Sequence, residues 1–269
     1  MATPTIASFN TQRARAYLFR LPLFTRACIV AILAFWVLSI PSSMWDLQQW
    51  GALIPNEMGL ATLYRINTFP FIHQNVFHMV MNLLAVTPLL DRFESEHGTL
   101  ISLAMFFGPL TTIPAIIYVF IERFVLGSNT GVMGASIWVF LLLGVEAIRT
   151  YKANPYFVVS TYSIPTWTSP LAVVLVTYAL VPSSSMLGHL CGLGVGYVFG
   201  LGYLKFLAPP EKVLRWAETK LNLLGRLPHF VSIDQKTYGR FGVLPTNGGA
   251  GGGAGVAMGM VGSSQRLGP

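Results

Sequence analysis

The sequence predicts an all-α, polytopic membrane protein: a bundle of six transmembrane helices, then an amphipathic helix and a flexible tail. Three observations predict it. Of 269 residues, 53% are hydrophobic and only 10% charged, with a mean hydropathy of +0.59, whereas a soluble domain carries about 25% charged residues. So few charges cannot coat a water-facing surface of this size. The apolar residues gather into six stretches, 27–41, 76–90, 100–121, 131–148, 169–181 and 187–207. Finally, Lys and Arg divide unequally between the two sides that six spans define.

Residues 1–26 are polar and arginine-bearing, and "IPSSMWD" after the first apolar run lacks a small-residue cleavage site. They read as a cytosolic N-terminal segment rather than a cleaved signal. Residues 27–207 form the membrane domain. Its second and fifth stretches fall short of the roughly 20 residues a bilayer needs, which flanking loops and local thinning accommodate. With six spans, both termini share a side with the loops 91–99 and 149–168. That side holds Arg13, Arg15, Arg20, Arg26, Arg92, Arg149, Lys152 and eight more from Lys205 to Arg266; the opposite side holds Arg65 and Arg123. The termini are therefore expected in the cytosol.

Residues 208–244 are a cytosolic juxtamembrane segment. Pro209 and Pro210 stop the last span, and "PPEKVLRWAETKLNLLGRL" reads as one amphipathic helix with Leu214, Ala217, Leu221 and Leu224 on one face. Its basic residues suit the lipids of an anionic cytosolic leaflet, although an ordinary short helix reads the same way. Residues 245–269 are a Gly-rich flexible tail.

Several functions are excluded. The net charge of +7 sits at the ends and between apolar runs, which marks membrane flanks rather than a nucleic-acid footprint. Cys28 and Cys191 lie inside apolar stretches and predict neither a disulfide framework nor a zinc site. There is no Asn-x-Ser/Thr sequon. No acidic residue stands at mid-membrane to mark ion coupling.

Polar side chains in hydrocarbon must be paired or face a wet cavity. Four stand out: His78 and Asn82 early in the second stretch, Ser136 early in the fourth and His189 early in the sixth. These three stretches all run toward the cytosol, so "early" means one common depth. At 1.5 Å per residue, Ser136 is expected roughly 7–8 Å below the outer surface. His78 and Asn82, four apart, share a helix face and can both donate hydrogen bonds to an oxyanion. A serine becomes a nucleophile when a base takes its proton, and His189 is that base. No intramembrane carboxylate is placed to orient it, so the expectation is a Ser–His dyad. Gly131 and Gly134 allow the Ser136 amide to turn toward an oxyanion. Gly192, Gly196 and Gly200 form a stripe on which the sixth helix packs against the fourth. Singly, each residue has a structural alternative: a serine bonded back to its own helix, or polar glue between helices.

Across residues 60–205 the chain resembles the rhomboid intramembrane serine proteases. The resemblance rests on "HQNVFHMVMN" (His73, His78, Asn82), "ESEHG" (Glu94, Gly98), "GAS" (Gly134, Ser136) and "HLCGLGVG" (His189, Gly192, Gly196). It implies that Ser136 is the nucleophile and His189 the base. His78, Asn82 and the Ser136 amide would bind the oxyanion; Glu94 and Gly98 would be structural, near the cytosolic end of the second helix. It also implies a rhomboid-like bundle, membrane-spanning protein substrates cut near the lumenal face, and no metal or organic cofactor. Ile137 departs from the glycine common in the family after the nucleophile, and a β-branched residue there is expected to narrow the cavity or alter the oxyanion hole. "LYRIN", with Arg65, is loosely similar to the family's first lumenal loop.

The layout is most similar to the fungal Golgi-type rhomboid protein 2 branch. "MVGSSQRLGP" (Met260, Gly262, Gln265, Arg266, Leu267) is similar to the short motif that docks the valosin-containing-protein AAA ATPase, with Met260 in place of an aromatic and Ser264 in place of a glycine. The flexible tether would present it to a cytosolic partner. A non-catalytic adaptor recruiting membrane clients to that ATPase is the alternative reading.

Overall fold

The computed structural model of the chain describes residues 11–40, 45–182 and 184–235. The described helices are α1 (Thr11–Leu18), α2 (Leu23–Ser39), α3 (Leu47–Gly51), α4 (Arg65–Thr68), α5 (Val76–His97), α6 (Thr99–Phe106) and α7 (Pro109–Phe120). They continue with α8 (Ser136–Ala153), α9 (Ser169–Leu180), α10 (Met186–Leu201), α11 (Glu211–Leu221) and α12 (Leu223–Arg226). Val30, Leu84, Leu175 and Leu180 point outward from α2, α5 and α9, each more than 60% exposed. Such surfaces suit lipid rather than water.

Two stretches are long and apolar enough to cross a bilayer unaided, Val76–His97 and Thr99–Val125; Leu23–Ser39 and Thr166–Leu180 are shorter apolar helices. The second apolar stretch is therefore not short. Its helix continues through what reads as a loop at 91–99 and carries Asp91, Arg92, Glu94 and Glu96 on its last turns. Two of these charges, Arg92 and Glu96, pair across to α8. Arg92 bonds Glu96 at 3.0 Å and pairs with Glu146, and Arg149 pairs with Glu96 and with Glu146 at 3.0 Å.

The expected loop 149–168 holds a further departure. Within it lies an antiparallel hairpin, β1 (Tyr156–Val159) and β2 (Tyr162–Pro165), so the fold is not purely α. "YFVVSTYSIP" is rich in β-branched and aromatic residues, and Ser160 takes the turn at φ 58°. Both strands are largely exposed, so no alternating burial marked them.

Glu94 organises one end of the bundle. Its carboxylate, fully buried, accepts hydrogen bonds from the Phe24 and Thr25 amides and the Thr25 hydroxyl, each 2.8 Å, and from Thr99 Oγ1 at 2.7 Å. The two amides belong to the first turn of α2, where N–H groups have no intrahelical acceptor and negative charge is favoured. Glu94→Gln would put an amide donor against these donors, and is expected to lower unfolding stability by roughly 3 kcal/mol. Thermal unfolding in detergent checks this; an unchanged midpoint would refute the hub.

Gly98, at φ 94°, links α5 to α6, and a side chain there would meet the Val231 carbonyl at 3.3 Å. Thr99 N donates to Val231 O, Val231 N to Thr99 Oγ1, and Leu23 N to His229 O, all at 2.9 Å. Residues 229–233 thus return onto the α2–α5–α6 end, and Ile233 is fully buried. Nothing in the apolar pattern announced this return.

The last span also ends early. Gly202, left-handed at φ 101°, terminates α10 after Leu201, before Pro209 and Pro210 are reached. The amphipathic segment is likewise two helices, because Asn222 is left-handed at φ 47° between α11 and α12. Leu214 is buried, while Leu221 and Leu224 are more than half exposed, so the expected apolar face does not exist as one surface.

At the centre, α8 packs on α10 along small residues. A Gly192 side chain would meet the Ile137 carbonyl oxygen at 2.5 Å, one at Gly196 would overlap the Leu141 backbone, and one at Gly200 would meet Ile148 Cβ at 3.0 Å. Reciprocally, one at Gly144 would meet the Leu193 carbonyl at 2.8 Å. Backbones this close are possible only without Cβ atoms. Trp138 of α8 fills the core, its indole donating to Thr111 Oγ1 at 2.8 Å.

Candidate active site

Residues 131–135 are not helical; α8 begins at Ser136. The depth reckoned from helical rise therefore does not apply, since no helix precedes the serine. Ser136 instead occupies the first turn of α8, where an amide has no acceptor within its own helix and faces outward along the helix dipole.

The loop before it is pinned by the chain between α3 and α5. Val132 and Leu53 exchange backbone hydrogen bonds at 2.9 and 3.0 Å, and Gly134 N donates to Phe69 O at 2.8 Å. Ala135 N donates to His73 Nε2 at 3.4 Å. His73 Nδ1 lies 3.2 Å from the Phe71 carbonyl, which only accepts, so Nδ1 carries the hydrogen and Nε2 is free to receive the Ala135 amide. His73 is buried. His73 lies just before the second apolar stretch, and in the sequence only the motif "HQNVFHMVMN" singles it out.

Gly134 adopts φ 111°, a region that favours glycine. A side chain there would strike His78 Nε2 at 2.8 Å and come within 3.5 Å of Asn82 Nδ2. His78 and Asn82 thus lie against the backbone two residues before Ser136. Asn82 commits one amide hydrogen to the His78 carbonyl, 2.9 Å away and one turn earlier, which leaves its second hydrogen for another acceptor. His78 stands edge-on to His73 at 5.1 Å.

From the other side α10 brings His189, whose Nε2 is 3.1 Å from Ser136 Oγ. Ser185 caps α10, accepting from Gly188 N at 3.0 Å, so the helix starts just ahead of His189. The His189 ring stacks on Phe140 of α8 at 4.3 Å. Its Nδ1 has no hydrogen-bond partner among the described residues, so aromatic stacking rather than a carboxylate orients it.

Ile137 packs toward α10. Its side chain is buried, and its Cγ1 sits 3.1 Å from where a Gly192 side chain would begin. The missing Cβ on α10 makes room for the branched residue on α8.

Arg65 is buried, donating to Ala52 O at 3.2 Å and pairing with Glu57 at 2.8 Å. Glu94 and Gly98 are not part of the constellation; Glu94 is twelve residues beyond Asn82, about 18 Å along α5. Met260, Gly262, Gln265, Arg266 and Leu267 lie outside the described residues.

The chemistry open to this set is acyl transfer. A hydroxyl sits within hydrogen-bond reach of an imidazole nitrogen, and a helix-terminal amide and two side-chain donors stand nearby for negative charge.

Comparison with known proteins gives a family. The model of the Rhomboid domain matches residues 60–206. The chain is 64% identical to Rhomboid-type serine protease 2 of Podospora anserina, over 99% of both chains. It is 66% identical to Rhomboid-type serine protease 2 of Neurospora crassa, over 100% of this chain and 98% of the relative. Rhomboid-type serine protease B of Aspergillus fumigatus is 58% identical over 97% of this chain and 96% of the relative.

Proposed function

Because the chain belongs to the rhomboid family and is an intramembrane serine protease, we propose that Ser136 is its nucleophile and His189 its general base. The observation that carries this is the 3.1 Å contact between Ser136 Oγ and His189 Nε2, made by helices that glycines hold together. Ser136 donates its proton to Nε2 as Oγ attacks the scissile carbonyl, while the Nδ1 hydrogen stays in place. The tetrahedral oxyanion is received by the Ser136 amide with His78 and Asn82. His189 then protonates the leaving amine, and water, activated by the same imidazole, releases the acyl group. Glu94, Gly98, Gly134, Gly192 and Gly196 keep the scaffold in register.

The substrates are single-span membrane proteins, cut near the lumenal face after local unwinding of their helix. In this reading residues 27–207 make six spans, with residues 1–26 and 208–269 in the cytosol. The distribution of Lys and Arg supports that orientation. The similarity of layout favours the Golgi membrane. The tail residues Met260, Gly262, Gln265, Arg266 and Leu267 would add a cytosolic handle for the valosin-containing-protein ATPase, alongside catalysis rather than instead of it.

A fluorophosphonate probe tests the assignment of the nucleophile. Native protein in detergent is expected to be labelled and Ser136→Ala protein not. Equal labelling of both would remove Ser136 from the mechanism.

A further inference from the structure

α11 follows α10 across a bend of 91°. Where α10 spans the bilayer, α11 therefore runs in the membrane plane, at the level of the headgroups. Its inner side is occupied by the protein itself. Leu214 joins the core cluster that includes Ile233, and Glu218 accepts from Ser232 Oγ at 2.6 Å and Ile233 N at 3.2 Å. Arg215 pairs with Glu211 at 3.5 Å and with Asp234.

The outer side is different in kind. Trp216 is 62% and Val213 55% exposed. Lys212 and Lys220 stand one turn before and one turn after Trp216, so they share its face; both are exposed. Neither lysine enters an ion pair among the described residues. The bend leading into the helix adds the exposed rings of Tyr203 and Phe206 and the exposed Lys205.

We propose that this face of α11, formed by Lys212, Val213, Trp216 and Lys220, binds the anionic phospholipid headgroups of the leaflet in which α10 ends. Trp216 seats its ring among the glycerol and carbonyl groups, and the two lysines reach phosphates on either side. The sequence suggested lipid contact through Leu214, Ala217, Leu221 and Leu224. The structure rotates that face, because the returning segment 229–234 takes Leu214. At the headgroup level that the bend sets, this face offers exposed rings flanked by cations with no ion pair among the described residues. That combination suits a headgroup layer that surrounds the helix. The inference rests on α10 as a membrane span and not on the catalytic assignment of Ser136.

The test uses the full chain reconstituted in phosphatidylcholine vesicles, with or without phosphatidylserine. The Trp216 signal is the fluorescence difference between native protein and Trp216→Phe. A dibrominated-chain phosphatidylcholine is expected to quench that signal at least about twofold more than aqueous iodide does, with the margin widening when phosphatidylserine is present. Lys212→Gln with Lys220→Gln is expected to abolish the widening while leaving proteolysis in detergent unchanged. Quenching by iodide but not by brominated lipid would mean an aqueous face and overturn the proposal. Quenching by neither would mean a protein surface covers Trp216, and would also overturn it. Loss of proteolysis in Ser136→Ala bears only on catalysis, so the two readings fail separately.

Discussion

Ser136→Ala and His189→Ala are each expected to lower the cleavage rate of a reconstituted transmembrane substrate by about 10^3-fold or more, and the double variant to be no slower than either alone. The expectation follows from the 3.1 Å contact. The serine is a poor nucleophile until the imidazole takes its proton, so removing either partner removes the same step. Non-additivity is the sharper part. Two groups acting as one unit lose their effect once, whereas two independent contributors would multiply. Ser136 is half-buried, so its replacement by alanine leaves no large cavity and folding should persist. Single variants that retain native rates would end the dyad account. A double variant slower than wild type by the product of the two single-variant factors would end the claim that they act together.

The second large effect concerns two glycines that differ only in what faces them. A side chain at Gly196 would overlap the Leu141 carbonyl and come within 3.0 Å of the Leu141 Cα, whereas one at Gly194 would meet nothing within 4 Å. Backbone atoms cannot swing aside as a side-chain tip can. Gly196→Ala must therefore push α10 away from α8, at a cost of about 1–3 kcal/mol. His189 rides on α10 and Ser136 on α8. A displacement near 1 Å between them is expected to slow cleavage by roughly 10^2-fold. Gly194→Ala is expected to leave the rate alone, and to raise stability by up to about 1 kcal/mol as the flexible residue is replaced within a helix. Thermal unfolding and cleavage of the same substrate decide it. Equal behaviour of the two variants would show that close backbone approach does not hold the site.

Much of the candidate site was legible as chemistry. Ser136, His189, His78 and Asn82 announce themselves because polar groups in apolar runs demand a reason. His73 did not, since it sits in a connection outside the apolar stretches and acts through the backbone of Ala135. Phe140 could not stand out either, as one phenylalanine in an apolar run looks like any other. The hairpin at 156–165 escaped because both its strands are exposed, and a β-strand advertises itself in a sequence chiefly through one buried face. The far end of α5 reads as a loop because charges interrupt the hydropathy; Arg92 and Glu96, both good helix formers, continue the helix and pair with Glu146 and Arg149 across from them.

By itself, the sequence determined the solvent of this protein, its family and the residue types available for catalysis. Each of these is written in local composition or in short spacings, which survive without coordinates. Only the tertiary structure decided that Ser136 opens its helix instead of lying within it. It also decided that Glu94 ties α5 to the first turn of α2, and that Trp216 rather than Leu214 faces outward. Those outcomes depend on segments far apart in the chain, the loop after α4 and the return at 229–233. A hydropathy pattern records how apolar a face is, not which distant segment reaches it first.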